Sequence, residues 1–313
     1  MSRMRVTVLG GTGFVGRHVT RQLVAAGAEV TTIARGTTAS TGLAAQSLKA
    51  DRADAGALAR ALATAAPEVV IDMIAYQPRD IDLLLDALPT SVEQLVVISS
   101  GDVYARYGVF LGVSRGPSDA SPLHEQSLLR TELFPYRRKA RGPDDVLWSY
   151  EKVLVERAAA VWPGGTTTIL RLPIVYGPND RQRRVAKYVE QLRISAGSLC
   201  LNAAEAAWRC TRGYVEDVAA AITLAVLSEA AVGATFNVGE QEALSEAGWA
   251  RAIAAVEGWK GEIVIDPSAD STIDANWNVD VILDTRRIRD VLGYDEPFGP
   301  AVGLRRTVES PES

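Results

Sequence analysis

A chain of 313 residues with 33 Lys and Arg against 38 Asp and Glu has a net charge of -5 and no basic block, so it carries no electrostatic footprint for a nucleic acid. Two cysteines, Cys200 and Cys210, and two histidines are too few and too scattered for a zinc site or a disulfide framework, so no metal is expected. No apolar run nears the ~18 residues that would cross a membrane, and the amino terminus leads into an apolar strand without a signal-peptide core, which predicts a cytoplasmic protein.

At this length one large domain or two interlocked ones is expected. Arg5–Leu9 reads as a short buried strand, followed by helical periodicity at Val15, Val19 and Leu23 with Gly27 as its stop. Residues 30–34 make a second strand and 47–50 a weaker third. A helix over 54–65 is halted by Pro67; a strand over 69–74, a helix over 80–88 and a fifth strand over 95–99 follow. Strands alternating with helices predict right-handed βαβ units and a parallel sheet covered on both faces, a doubly wound α/β fold. The pattern dissolves between 105 and 147, a stretch rich in Gly, Pro, Arg and Asp that contains Arg137, Arg138 and Lys139 and has the length of a lid or binding loop. Regularity returns with a helix over 150–161, a strand over 167–172 and helices over 183–194 and 215–227.

The turn Gly10-Gly11-Thr12-Gly13-Phe14-Val15-Gly16 joins the first strand to its helix, where a dinucleotide-binding turn belongs. Gly10 permits the tight turn, Gly13 lets a pyrophosphate approach the backbone, and Gly16 allows close helix–strand packing. The helix start at Thr12, Phe14 and Val15 offers N–H groups and a favourable dipole to the phosphates. The second strand ends in Ile33-Ala34-Arg35-Gly36, with no acid to grip a ribose 2′-hydroxyl. Arg35 is placed to accept a 2′-phosphate instead, which favours NADP over NAD.

Further motifs follow: ISSGDVY at 98–104, LRLPIVYGP at 170–178, RGYVEDV at 212–218 and FNVG at 236–239. With the glycine turn, they make the chain resemble the extended short-chain dehydrogenase/reductase superfamily, especially its NAD-dependent epimerase/dehydratase branch. The resemblance implies a Rossmann domain over 1–165 and a smaller substrate-binding region over 166–313, interleaved with the last strands of the sheet. It implies that Asp51 contacts adenine, that Ile74, Ala75 and Tyr76 run along the cofactor, and that Pro173, Ile174 and Val175 lie beside the nicotinamide. Ser100 matches the family's catalytic Ser/Thr, whose hydroxyl would hold a substrate oxygen, with Ser99 a close rival. Asp102 falls where sugar-nucleotide dehydratases carry a glutamate base, while Gly101 stands in place of their aspartate acid.

The family's Tyr-x-x-x-Lys spacing puts both side chains on one helix face, where the ammonium lowers the tyrosine pKa. Here Lys152 sits correctly, followed by Glu156, but Trp148 occupies the tyrosine position and an indole N–H transfers no proton near neutral pH. Tyr150 is the substitute, on a different side of a regular helix, and it reaches the site if the helix begins late or is irregular. The candidate catalytic residues are therefore Ser100, Tyr150, Lys152 and Asp102, with Lys152 also touching the cofactor ribose. Ile174 replaces an asparagine found in many sugar-nucleotide enzymes. The expected function is an NADP-dependent oxidoreductase or epimerase acting on a small hydroxy, keto or sugar-derived substrate. The sequence leaves the oligomeric state open; the resemblance implies a homodimer as one option, since relatives often dimerise through the helix pair that includes 150–161. The alternative, supported by Trp148, is a non-redox NADP-binding sensor or scaffold.

Overall fold

The runs RVTVL, EVTTIA, VVID and QLVVISS are short and rich in β-branched residues, as strands covered on both faces must be. In the computed structural model, which describes residues 3–36, 46–195 and 197–310, they are β1 (Arg5–Leu9), β2 (Glu29–Ala34), β4 (Val69–Asp72) and β5 (Gln94–Ser100), with β3 (Gln46–Lys49) between the second and fourth. Helices α1 (Gly16–Ala25), α2 (Ala55–Ala65) and α3 (Pro78–Ala87) separate them. Next come α4 (Ala105–Phe110), α5 (Val146–Ser149), α6 (Lys152–Ala160), β6 (Thr166–Leu172), β7 (Ile174–Tyr176) and α7 (Arg184–Ile194). The chain continues through β8 (Ser198–Asn202), α8 (Ala203–Ala207), β9 (Arg212–Tyr214), α9 (Val215–Leu227), β10 (Thr235–Asn237) and α10 (Glu246–Glu257). It ends with β11 (Glu262–Asp266), α11 (Arg286–Leu292) and α12 (Gly299–Val308).

Seven strands form the central sheet in the order β10-β6-β5-β4-β1-β2-β3, every pairing parallel. The order turns back at β1, which pairs β2 on one side and β4 on the other, so a crevice opens at the carboxyl ends of β1 and β4. This is the Rossmann arrangement. Successive side chains alternate between its faces. Val6 and Val8 join α1 and α9 through Val19, Leu23 and Ile222, whereas Leu9, Val70 and Val97 join α2 and α3 through Leu58, Leu62 and Ile81. A third core gathers Phe110, Trp208 and Trp277, the first two stacked with centroids 4.6 Å apart. The pairs β8–β11 and β7–β9 lie outside the main sheet.

Several boundaries differ from the sequence reading, and three of them bear on the site. The fourth strand stops at Asp72, because its carboxylate turns back to accept from the Ile74 amide at 2.9 Å and ends the ladder. The stretch after 105 opens with the helix α4 before becoming irregular. The helix expected from 150 starts at Lys152. No helix among the described residues is long and apolar enough to cross a membrane, and among them no group of three or more His, Cys, Asp or Glu is gathered to hold a metal ion.

Candidate active site

The turn between β1 and α1 is closed by its glycines. Gly10 has φ +82°, and a Cβ there would lie 2.7 Å from Ile74 Cγ2. A Cβ on Gly16 would collide with the Gly10 carbonyl oxygen, and one on Gly11 would lie 2.6 Å from Thr32 Cγ2, a requirement the sequence reading left out. Gly13 differs: among the described residues its Cβ would meet only the Gly10 oxygen, at 3.1 Å. Helix α1 has no cap of its own, since Val15 supplies no side-chain acceptor and the first turn holds no acid. A dinucleotide pyrophosphate laid against Gly13 and Phe14 fits that unmet demand for an anion.

From this turn the chain leaving β4 leads to the lysine. Ile74 packs on Gly10, and the next carbonyl, that of Ala75, accepts from Lys152 Nζ at 2.6 Å. Arg52 fixes the strip by donating to both oxygens of Asp72, at 2.9 and 2.8 Å, and to the Asp80 carbonyl at 2.6 Å. Asp80 in turn accepts from the Tyr76 and Gln77 amides. Nothing in the sequence spacing singles out Arg52, because its partners stand 20 and 28 residues away. Asp51 is exposed in the turn just before, with one carboxylate oxygen accepting from the Ala53 amide at 3.0 Å. Arg35 is exposed at the end of β2, and the aliphatic stem of Lys49 lies against the neighbouring Gly36.

Helix α5 ends at Ser149, Tyr150 (φ −60°, ψ 118°) and Glu151 (φ −158°, ψ 92°) are extended, and α6 then begins at Lys152. Helical spacing therefore no longer decides where Tyr150 points. Its ring lies between those of Tyr76 and Tyr136, with centroids 6.0 and 5.2 Å away. Its Oη donates to Asp102 Oδ2 at 2.9 Å and is also bonded to the Ser100 side chain. Ser99 turns into the core instead and donates to Glu156 Oε1 at 2.5 Å, so the end of β5 presents Ser100. Lys152 is buried and donates to the carbonyls of Ala75 and Ile98, the latter at 2.7 Å. Burial lowers its pKa to about 8. Burial, with the Asp102 carboxylate beside it, raises the Tyr150 pKa well above the ordinary tyrosine value. Asp102 is raised as well, by desolvation. The lowered tyrosine pKa of the helical Tyr-x-x-x-Lys pair is thus not reproduced here.

The break before α6 is built from buried charge. Glu151 accepts from the Val153 amide at 2.9 Å, which caps α6, and from the Phe134 amide at 2.6 Å. Its carboxylate pairs with Arg130 at 3.0 and 3.2 Å, both side chains fully buried. Arg130 also donates from Nε to the Asp102 carbonyl at 2.5 Å, tying the irregular segment to the end of β5. Arg130, Tyr136 and Glu151 escaped the sequence reading because they lie on or beside a segment without periodicity. Trp148 faces the other way: it is 38% exposed, and Arg137 covers its ring at 5.4 Å while donating to its carbonyl. Arg137, Arg138 and Lys139 form one exposed turn.

Of the remaining candidates, Pro173 packs against Gly213 and Gly239, and the Val175 side chain is buried in the core while its carbonyl accepts from Arg184 Nη1 at 2.9 Å. Arg212 is buried in an ion pair with Glu246 and lies 4.6 Å over the Trp249 ring. A groove of about 830 Å3 adjoins the glycine turn, bordered by Thr12, Phe14, Arg17, Arg181, Arg184 and Val189.

A glycine turn at the switch point of a parallel sheet, joined by one strip of backbone to a buried lysine, defines a dinucleotide-binding α/β protein. The profile of the NAD dependent epimerase/dehydratase family matches residues 6–239, and the chain belongs to that family. No curated protein matches it by sequence. Among solved structures, it is similar to a presumed epimerase from Burkholderia cenocepacia J2315, at 25% identity and TM-score 0.74, covering 98% of this chain and 97% of that one. It also shares the fold of the Thermotoga maritima UDP-glucose 4-epimerase with UDP-glucose, at 20% identity and TM-score 0.71, with 98% of each chain covered. The Thermus thermophilus UDP-glucose 4-epimerase complex with NAD gives 23% identity and TM-score 0.69, again with 98% of each covered.

Proposed function

We propose that this chain is an NADP-dependent oxidoreductase or epimerase acting on a small hydroxy, keto or sugar-derived substrate. The observation that carries the proposal is the meeting of Tyr150, Ser100 and Lys152 at the carboxyl end of β5, on the strip that leads to the glycine turn. Gly10, Thr12, Gly13, Phe14 and Val15 would hold the pyrophosphate, Asp51 the adenine end, and Ile74, Ala75, Pro173 and Val175 would line the path to the nicotinamide. The cofactor, when bound, supplies the acceptor and donor of hydride.

The protein's own groups handle orientation and the proton. Lys152 uses two of its three N–H donors on carbonyls, and the third is left to orient the cofactor ribose. The Ser100 hydroxyl holds the reacting oxygen of the substrate. Tyr150 stays a phenol through the neutral range, so it acts as a hydrogen-bond and proton donor toward a substrate carbonyl and passes a proton onward in the other direction. The sensor reading rested on Trp148, and the displacement of Tyr150 into the site favours turnover over it.

The NADP preference is supported by Arg35 and by Lys49 beside Gly36, two cations at the end of β2 where a 2′-phosphate would lie. Titration of NADPH and NADH into the wild type and Arg35→Ala tests it: tighter NADPH binding that the substitution abolishes is expected, and equal affinities contradict it. Turnover is tested by following nicotinamide absorbance with UDP-glucose, small polyols and their keto forms. Loss of activity in Tyr150→Phe is expected; unchanged activity removes Tyr150 from the mechanism.

A further inference from the structure

Asp102 sits just after Ser100 in a short turn at the end of β5, its side chain buried. Its Oδ2 accepts from Tyr150 Oη at 2.9 Å and lies 3.0 Å from Tyr136 Oη. Tyr136 Oη is also 3.1 Å from Tyr107 Oη; having one proton, it gives that proton to the carboxylate and accepts from Tyr107. The other oxygen, Oδ1, is buried without a hydrogen-bond partner among the described residues. With no donor at Oδ1 to stabilise its charge, the buried carboxylate has a raised affinity for the proton that Tyr150 Oη already points at Oδ2. The charged and titratable groups facing it are Arg130, which touches its carbonyl, Lys152 on α6, Tyr136 on the irregular segment, Tyr107 on α4, and Tyr150.

We propose that Asp102 is the proton acceptor behind Tyr150, and that Tyr136 is the positioning residue that keeps the carboxylate aimed at it. The inference rests on the reading that Tyr150 meets the substrate oxygen. In the oxidative direction the O–H bond of a substrate alcohol breaks and its proton passes to Tyr150 Oη. The phenol's own O–H bond breaks in the same step, and that proton goes to Asp102. The carbinol carbon loses its C–H bond as hydride to the nicotinamide dinucleotide, so the alcohol is oxidised to a carbonyl and the dinucleotide is reduced. No phenolate accumulates. In the reverse direction Asp102 returns the proton through Tyr150 to the carbonyl oxygen.

The test uses the full chain with NAD or NADP added and tyrosines labelled with 13C at Cζ, the Tyr150 resonance being identified by its loss in Tyr150→Phe. In the wild type the resonance should remain that of a phenol through mildly alkaline pH while shifting as Asp102 titrates at lower pH. In Asp102→Asn that shift should vanish and the phenolate should form at a lower pH, because the neighbouring negative charge is gone. Tyr136→Phe removes a hydrogen bond that favours the ionised carboxylate, so the Asp102-linked shift should move to higher pH. With any alcohol that the turnover assay accepts, UDP-glucose first, Asp102→Asn should slow hydride transfer by about 100-fold or more. Tyr136→Phe should move the acid limb of the pH–rate profile upward.

A Tyr150 resonance blind to Asp102, with phenolate forming at the same pH in wild type and Asp102→Asn, would overturn the relay while leaving the proposed function in place. Full activity in Tyr150→Phe would instead remove the reading beneath it, even with the Tyr150–Asp102 coupling visible in the spectrum.

Discussion

The glycine turn and the Tyr150 break face one crevice and are held in opposite ways. The turn is made by leaving atoms out: Gly10, Gly11 and Gly16 each lack a Cβ that would collide with a neighbour, and the helix it opens has no side-chain cap. The break is made by putting charge in: a buried Arg130–Glu151 pair caps α6, holds the Phe134 amide and ties the irregular segment to Asp102. A backbone device can be read and kept with a few small residues. A side-chain device depends on every partner being present, because a buried charge left alone is costly. The turn and the break therefore have different tolerances to substitution.

The largest expected effect is on the charged side of that comparison. Arg130→Ala leaves Glu151 buried without a counter-ion and should destabilise the fold by about 3–5 kcal/mol, read from the denaturant midpoint. Adding Glu151→Gln to an Arg130→Met variant should recover part of the loss, because the two positions share one interaction. If Arg130→Ala is neutral, the break is not held by this pair. On the backbone side, Gly16→Ala forces a shift against the Gly10 carbonyl and should destabilise by about 3 kcal/mol while weakening dinucleotide binding. Gly13→Ala, with only one contact at 3.1 Å, should leave stability near wild type and act on the cofactor alone. Equal losses of stability at both positions would break the distinction.

Glu240 sharpens the comparison, since this buried acid takes a hydrogen bond from a phenol, Tyr176, at 2.9 Å rather than from a guanidinium. Burial raises its pKa to about 7 from an ordinary value of 4.5. A raised folded-state pKa means that its stability contribution is fully present below pH 4.5 and is lost as pH rises through 7. Glu240→Gln keeps the hydrogen bond and should flatten the pH dependence over that window by up to about 3 kcal/mol. Parallel melting curves for wild type and variant from acid to neutral pH would show otherwise.

The same contrast explains how much could be read in advance. The β1–α1 turn and the parallel sheet follow from local spacing, because each depends on residues close together in the chain, and the family resemblance pointed to Ser100 and Lys152. The arrangement around Tyr150 does not. Arg130 and Glu151 are 21 residues apart, Tyr136 and Asp102 34 apart, and no periodicity in the stretch after 105 marks them. The tyrosine at i−2 from the expected position was visible, and so was the need for a late helix start; the buried ion pair that provides it was not. Trp148 carried weight as a lost catalytic residue, whereas its ring is half turned to solvent under Arg137.

Tyr150, displaced from the helix, is the group proposed to handle the substrate proton. The most direct test of that claim is the rate of hydride transfer in the dinucleotide-loaded full chain, followed by nicotinamide absorbance, for wild type, Tyr150→Phe and Trp148→Tyr. Tyr150→Phe should lose about 100-fold or more with cofactor affinity unchanged, while Trp148→Tyr stays at the wild-type rate. A Tyr150→Phe protein as fast as wild type, or a Trp148→Tyr protein markedly faster, would contradict the claim.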